Sequence, residues 1–193
     1  MPWEKSFDLD EAVDQSISVF MAKGYEATSL SDLLAAIGIN KGSFYNAFGS
    51  KKKLFTQSLL KYDNEQRKAM LDELSQMQDP LKAIGSLFDA LIEQSVTRGC
   101  KKGCLMVNTA LDLPNHDAAT EKLVKHSMSE MEVFFRQQIE LGHKQESIAK
   151  SVSASETAKG LVTLVVGLRV LARGVFDEES LRVIKSQAMH LLK

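Results

Sequence analysis

Three prolines in 193 residues leave long helices uninterrupted, and eleven glycines are too few for a collagen-like or low-complexity chain. The two cysteines, Cys100 and Cys104, build no disulfide framework. No run of 18 apolar residues occurs, so no membrane-spanning helix is expected. The polar, acidic start, Met1-Pro-Trp-Glu-Lys-Ser-Phe-Asp8, lacks the charged-then-apolar order of a signal peptide. Together these absences predict a soluble cytoplasmic protein.

Signatures of catalysis are missing as well. His116, His126, His143 and His190 are scattered, with no His-x-x-x-His or His-Glu-x-x-His pattern. Cys100 and Cys104 lack a second ligand pair at metal spacing. No phosphate-cradling glycine loop and no Gly-x-Ser-x-Gly elbow is present. No enzyme activity, metal or cofactor is expected.

What the chain does have is helical periodicity and a hydrophobic content of 44%, enough for a real core. Asp8 with Glu11 three residues on resembles a capping box, and Leu9, Val13, Ile17, Phe20 and Met21 follow at helical spacing until Gly24. Thr28 and Ser29 are N-cap candidates for a short second helix, with Leu30, Leu33, Leu34 and Ile37 as its apolar stripe. Gly38 breaks it, Ile39-Asn40 turn the chain, and a third short helix runs to Phe48, with Phe44 and Phe48 sharing its inward face. Gly49 ends that helix and Ser50 caps a fourth, continuous to about Gln78. Asp79-Pro80 opens a fifth, and glycines mark a loop from Arg98 to Gly103. Further helices are predicted at Leu105–Leu111, from His116 to about Leu141, from Ser153 or Ser155 to Arg173, and from Asp177 to Leu192. No segment alternates as a strand. The fold class is all-α, with about nine helices: an N-terminal three-helix domain, residues 1–50, followed by a larger helical domain, residues 51–193.

Two short apolar-faced helices joined through a glycine form a helix-turn-helix candidate at residues 29–48. The second helix of such a motif enters the DNA major groove. With Phe44 and Phe48 inward, Lys41, Ser43, Tyr45 and Asn46 face out or flank. Lys suits phosphate or guanine, Asn pairs with adenine, and a Tyr hydroxyl reaches phosphate. Amides at helix starts also bind phosphate, which marks Thr28, Ser29 and Ser50. A plain helical hairpin in a core is the alternative, and geometry alone does not separate the two.

The net charge of −1 looks wrong for a DNA binder, but it hides a segregation. Residues 1–32 hold seven acids against Lys5 and Lys23. Residues 38–61 hold Lys41, Lys51, Lys52, Lys53 and Lys61 and no acid. A local basic face steers a protein to DNA, although a lysine run also opens many solvated helices.

The run from Gly24 to Phe55 resembles the DNA-binding domain of the TetR family. It carries the glycine-aromatic pair Gly24-Tyr25, Thr28 before the second helix, the Gly38 turn, the recognition sequence Lys41-Gly42-Ser43-Phe44-Tyr45, and the Ser50-Lys51 start of the fourth helix. It departs at Asn46 and Ala47, where many members have His or another aromatic. The resemblance implies a homodimeric regulator, usually a repressor, that binds double-stranded operator DNA and is released by a small-molecule effector. It also implies DNA contacts from Thr28, Ser29, Lys41, Gly42, Ser43, Tyr45, Asn46 and Lys51.

Family members dimerise through their last two helices. Here Gly160, Gly167 and Gly174 recur every seven residues, with Leu161, Leu164 and Leu168 alongside. Each glycine costs about 1 kcal/mol in a helix interior, so the spacing points to close approach of another helix, from a second subunit or from the same one. The sequence Gly103-Cys-Leu-Met-Val-Asn108 is similar to that of a TetR subgroup and places Cys104 near a sensor cavity. Lys101 and Lys102 would favour its thiolate, so a redox- or electrophile-sensing role for Cys104, with or without Cys100, stands beside the reading of a small packed cysteine. Phe88, Cys104, Met106, Met128, Met131, Phe134 and Phe135 are candidates for a permissive apolar pocket, or for plain core.

Overall fold

The computed structural model describes residues 7–97 and 103–193. Cys100, Lys101, Lys102 and the Arg98-to-Lys102 part of the predicted loop lie outside them.

Nine helices and no strand make up the described residues. They are α1 (Leu9–Lys23), α2 (Leu30–Ile37), α3 (Lys41–Phe48), α4, α5 (Pro80–Thr97), α6 (Leu105–Leu111), α7 (Ala118–Lys144), α8 (Ala154–Leu171) and α9 (Glu178–His190). A 3₁₀ turn, Leu113–Asn115, joins α6 to α7. Helix α4 is one continuous rod in three parts, Lys51–Tyr62, a π-helical segment Asp63–Lys68, and Ala69–Ser75. The widened turn shows in the Ala69 N–H, which reaches back five residues to the Asn64 carbonyl.

Local chemistry sets the helix starts. Side chains of Asp8, Ser29, Asn40, Ser50, Asp117, Ser153 and Asp177 accept from first-turn amides, and Asp79 does the same for Lys82 N–H. Each such cap contributes about 1 kcal/mol. Only α6 starts without one: Cys104 stands at its cap position and makes no capping bond. At seven residues α6 is too short to hold itself, so packing must hold it.

Two apolar clusters organise the helices. The first gathers Val13 and Phe20 of α1, Leu33 and Ile37 of α2, Phe44 and Phe48 of α3, and Leu54, Phe55 and Leu59 of α4. The expected boundary at residue 50 therefore falls inside this cluster. The first half of α4 packs with the three N-terminal helices because its apolar side chains continue their core. The same cluster takes in Leu105 and Met106 of α6 and Val124 of α7. The second cluster packs Leu87, Phe88 and Leu91 of α5 against Phe134, Phe135 and Ile139 of α7, Leu161, Val165 and Leu168 of α8, and Leu181 of α9. Each fully buried large side chain stabilises the fold by roughly 1.5–3 kcal/mol.

Two expectations about α8 change. The helix ends at Leu171, and Gly174 lies beyond it at φ +108°, so the three glycines do not share one helical face. Leu161 and Leu168 are fully buried in their own subunit, against the second core, and cannot form a subunit surface.

Candidate DNA interface and effector cavity

Helix α3 is divided cleanly along its length. Lys41, Gly42, Tyr45 and Asn46 are exposed, while Ser43, Phe44 and Phe48 are buried and Ala47 half-buried. At about 100° per residue the exposed four fill one arc of roughly 140°, and the others fill the opposite arc. Left-handed glycines bracket the helix, Gly38 at φ +72° and Gly49 at φ +75°, so α2 and the start of α4 turn sharply away from it. A Cβ on Gly42 would meet only Asn40 Oδ1, at 3.3 Å, so its outer side is open to close approach. Tyr45 stands edge-on to Phe44, their ring centroids 5.5 Å apart, and is 47% exposed, the arrangement of a side chain propped outward.

Several expected contacts serve the protein's interior. Thr28 is 1% exposed, and its hydroxyl donates to the Gly24 carbonyl at 2.6 Å. Ser43 is buried in the inward arc, since position 43 lies nearly opposite Lys41 on the helix. Ser29 is exposed but closes a capping box with Asp32, which occupies the α2 start with its own carboxylate. Hydrogen bonds from Lys23 and from Ser29 hold the Asp32 carboxyl at about 2. An incoming phosphate would meet that negative charge. Ser50 is half-buried and caps α4 through Lys53 N–H.

Lys51 is engaged by the chain's own backbone. Its ammonium donates to the Tyr25 carbonyl at 2.9 Å and the Thr28 carbonyl at 2.8 Å, and sits 4.3 Å from the Tyr25 ring centre. Two of its three donors are spent tying the α1–α2 connection to α4. The basic stretch is correspondingly thinner than its composition. Lys61 is 13% exposed and paired with Asp10 and Asp14, and Lys52 bonds Asp117 at 3.2 Å. Lys41 and Lys53 form no ion pair among the described residues.

A cavity of about 40 Å³ lies between α4, α6, α7 and α8. Cys104, Met106, Met128 and Met131 line it. Phe88, Phe134 and Phe135 do not. Their rings pack in the second core, Phe88 stacked on Phe135 at 6.3 Å and Phe134 edge-on to Phe135 at 5.5 Å, because α5 and α7 meet there. The rest of the wall, not evident from the sequence, comes from Tyr62, Asp63, Gln66, Arg67 and Met70, all on or beside the π-helical turn, and from Arg169 on α8. The only local signal was Asp63 and Arg67, four apart in a polar run that reads as a solvated face. In the fold this pair is buried and bidentate, with both bonds 2.6 Å. Ser127 Oγ donates to Asp63 at 2.8 Å, and Arg67 also reaches Glu130 at 2.7 Å. Burial works against the Arg67 charge, but the bonds to Asp63 and Glu130 outweigh it and raise its pKa further. Burial, and then the neighbouring Cys104, raises the Tyr62 phenol well above its ordinary value.

A ring cluster joins the α6–α7 connection to α4 and to the α1–α2 connection. His116, just past α6, stacks on Phe55 at 5.2 Å with 12° between planes and lies 5.3 Å from Tyr25. Tyr25 in turn lies under Lys51.

Residues 12–57 match the family described as bacterial regulatory proteins, tetR family, and residues 80–187 match the tetracyclin repressor-like C-terminal domain. The chain belongs to the TetR family. It is therefore a DNA-binding transcription regulator and not an enzyme. Among curated relatives, the chain is 28% identical over 192 residues to the HTH-type transcriptional repressor ComR of Escherichia coli, covering 97% of this chain and 90% of that one. It is 25% identical over 179 residues to the HTH-type regulator YezE of Bacillus subtilis, covering 92% of each. Among solved structures it is similar to a cysteine-substituted TetR family regulator CifR complexed with a 26-base-pair double-strand operator DNA. That likeness has a TM-score of 0.84 and 26% identity, over 97% of this chain and 98% of that one. No helix among the described residues is long and apolar enough to cross a membrane.

Proposed function

We propose that this TetR family chain is a homodimeric repressor, cytoplasmic like the DNA it reads, that leaves its operator when a small molecule enters the α4–α6–α7–α8 cavity. One observation carries the ligand dependence. Helix α6 and its cap residue Cys104 give Cys104, Met106 and Val107 to the cavity wall, and the helix also gives Leu105 and Met106 to the apolar core of the DNA-reading helices. A ligand that pushes on α6 therefore pushes on α1 and α4, through Leu105 and through His116 against Tyr25 and Phe55. The uncapped α6 is the helix that yields most cheaply. Two recognition helices must meet half-sites about 34–36 Å apart, or a multiple of that, so a small rotation of each reader removes one groove contact. The ligand acts by binding the non-matching arrangement better.

On this reading Lys41, Gly42, Tyr45 and Asn46 face the groove, and Lys53 and the Ser50 cap flank the phosphates. Thr28, Ser29, Ser43 and Lys51 position them. The accessible parts of the last two helices form the dimer face: the half-buried Leu164 and Gly167 on α8, and Val183 and Leu191 at 55% and 45% exposure on and after α9. Gly167 has no neighbour within 4 Å of a built Cβ, as a site of close approach requires, whereas Gly160 already faces Leu191 of its own subunit at 3.5 Å. Fluorescence anisotropy on the promoter region beside the gene tests the proposal. Wild type binds and Tyr45→Ala does not; equal binding by both refutes the groove assignment.

A second reading rests on Cys104, a free thiol in the cavity wall beside the Tyr62 hydroxyl. An oxidant or electrophile would then act where the ligand does. A Cys104→Ser protein that still releases DNA on peroxide or electrophile treatment removes it.

A further inference from the structure

The cavity wall has a polar group with nothing to bind. Arg67 is 9% exposed, and three of its N–H donors are engaged by Asp63 and Glu130. Its Nη1 is fully buried and has no hydrogen-bond partner among the described residues. An orphaned donor of this kind is costly, and such groups in native proteins usually meet an acceptor. Arg169 lines the same cavity, and its bond is to the neutral Gln94 amide, at 2.7 Å. It forms no ion pair among the described residues. Asp63, the one carboxylate in the wall, is spent on Arg67 and Ser127. Glu130 holds Arg67 from outside the wall, is 34% exposed and also faces His126. The lining therefore carries one uncompensated positive charge and one unmet donor.

We infer that the effector is a small, mainly apolar carboxylate, its anionic head held by Arg67 Nη1 and Arg169 and its apolar body lodged among Met70, Met106, Met128 and Met131. The inference rests on the effector-cavity reading above. A carboxylate answers both features, whereas a neutral carbonyl answers only the first. Four methionines explain how a space of about 40 Å³ could admit such a body. Their unbranched side chains re-pack at little cost, and π-helical turns such as the one that presents Arg67 are frequent at functional sites.

The test uses purified full-length protein and a series from butyrate to octanoate, each beside its neutral primary amide, at ionic strength matched with chloride. Calorimetry reads binding and operator anisotropy reads release. At least one carboxylate should bind about tenfold or more tightly than its amide. Arg169→Gln should erase that preference. Arg67→Lys, which keeps a charge for Asp63 but has no Nη1, should weaken carboxylate binding about tenfold while its melting curve stays cooperative. Equal binding of acid and amide overturns the inference, as does binding untouched by both variants, or no binding across the series. A carboxylate that binds through both arginines but leaves operator affinity unchanged upholds the site and overturns only the release reading. Release by a neutral compound, with no carboxylate binding, does the reverse.

Discussion

The Lys51 geometry makes a prediction that separates positioning from phosphate contact. Each phosphate neutralised by a lysine contributes about 0.9 to the slope of log affinity against log salt. A Lys41→Ala dimer loses two such contacts and should flatten the slope by about 1.8. Between about 50 and 200 mM salt, the affinity ratio of wild type to Lys41→Ala should then fall roughly tenfold. Lys51→Met should behave differently. It keeps the stem over Tyr25 but frees two carbonyls that the ammonium held at 2.9 and 2.8 Å. Charge-assisted bonds contribute about 1.5–3 kcal/mol each when buried, and Lys51 is half-buried, so about 1–2 kcal/mol in total is expected. Melting should fall by several degrees and operator affinity should drop, by the same factor at every salt concentration. The assay is anisotropy across a salt series, with melting by circular dichroism. A Lys51→Met protein with unchanged melting and a slope flattened as much as in Lys41→Ala would refute the reasoning. It would mean the ammonium leaves the Tyr25 and Thr28 carbonyls for phosphate.

Other outcomes follow from single contacts. Gly142→Ala places a Cβ 2.5–3.0 Å from three Ile148 side-chain carbons and should cost about 1–3 kcal/mol in urea unfolding. Asp32 and Asp117 are both held at about 2, below their ordinary 3.8: Asp32 by Lys23 and Ser29, Asp117 by Thr120 and Lys52. Their folded values are depressed, so their contribution is complete above the unfolded value and is lost as pH falls through about 2. Asp32→Asn should accordingly flatten the loss of stability between about pH 4 and pH 2, read by circular dichroism. Val183→Asp should shift the protein toward monomer in sedimentation equilibrium and weaken operator binding with it. His116→Leu should preserve effector binding and operator binding separately, while reducing the effect of one on the other in anisotropy titrations.

Much of the fold could be read in advance because its determinants are local. Asp8, Ser29, Asn40, Ser50, Asp117, Ser153 and Asp177 each act within three residues of themselves, and Gly38 and Gly49 act within one turn. The inward pair Phe44 and Phe48 follows from helical period alone. A local pattern misleads where it runs past the end of its element. The seven-residue glycine spacing holds meaning only on an unbroken helix, and α8 stops three residues short of Gly174. The phenylalanines of α5 and α7 had the right chemistry for a pocket, but nothing in their own spacing says which of two apolar faces closes completely.

Charge was the least legible property, and for a physical reason. A lysine is free or spent according to partners that the fold brings from far away: Asp10 is 51 residues from Lys61, and Glu130 is 63 from Arg67. Composition therefore overstated the basic face and hid the cavity's charge. The five lysines of residues 38–61 reduce to Lys41 and Lys53 without ion pairs, Lys52 shared with Asp117, and two that brace the reader. In a protein of net charge −1, that division matters for regulation. In the proposed dimer, few groove charges make affinity depend on both subunits engaging at once, so losing one half-site costs a large share of the total. On the proposed release mechanism, a short, uncapped helix then governs DNA binding with a small displacement. It does not have to break a strong grip; it has only to spoil the spacing on which a modest one depends.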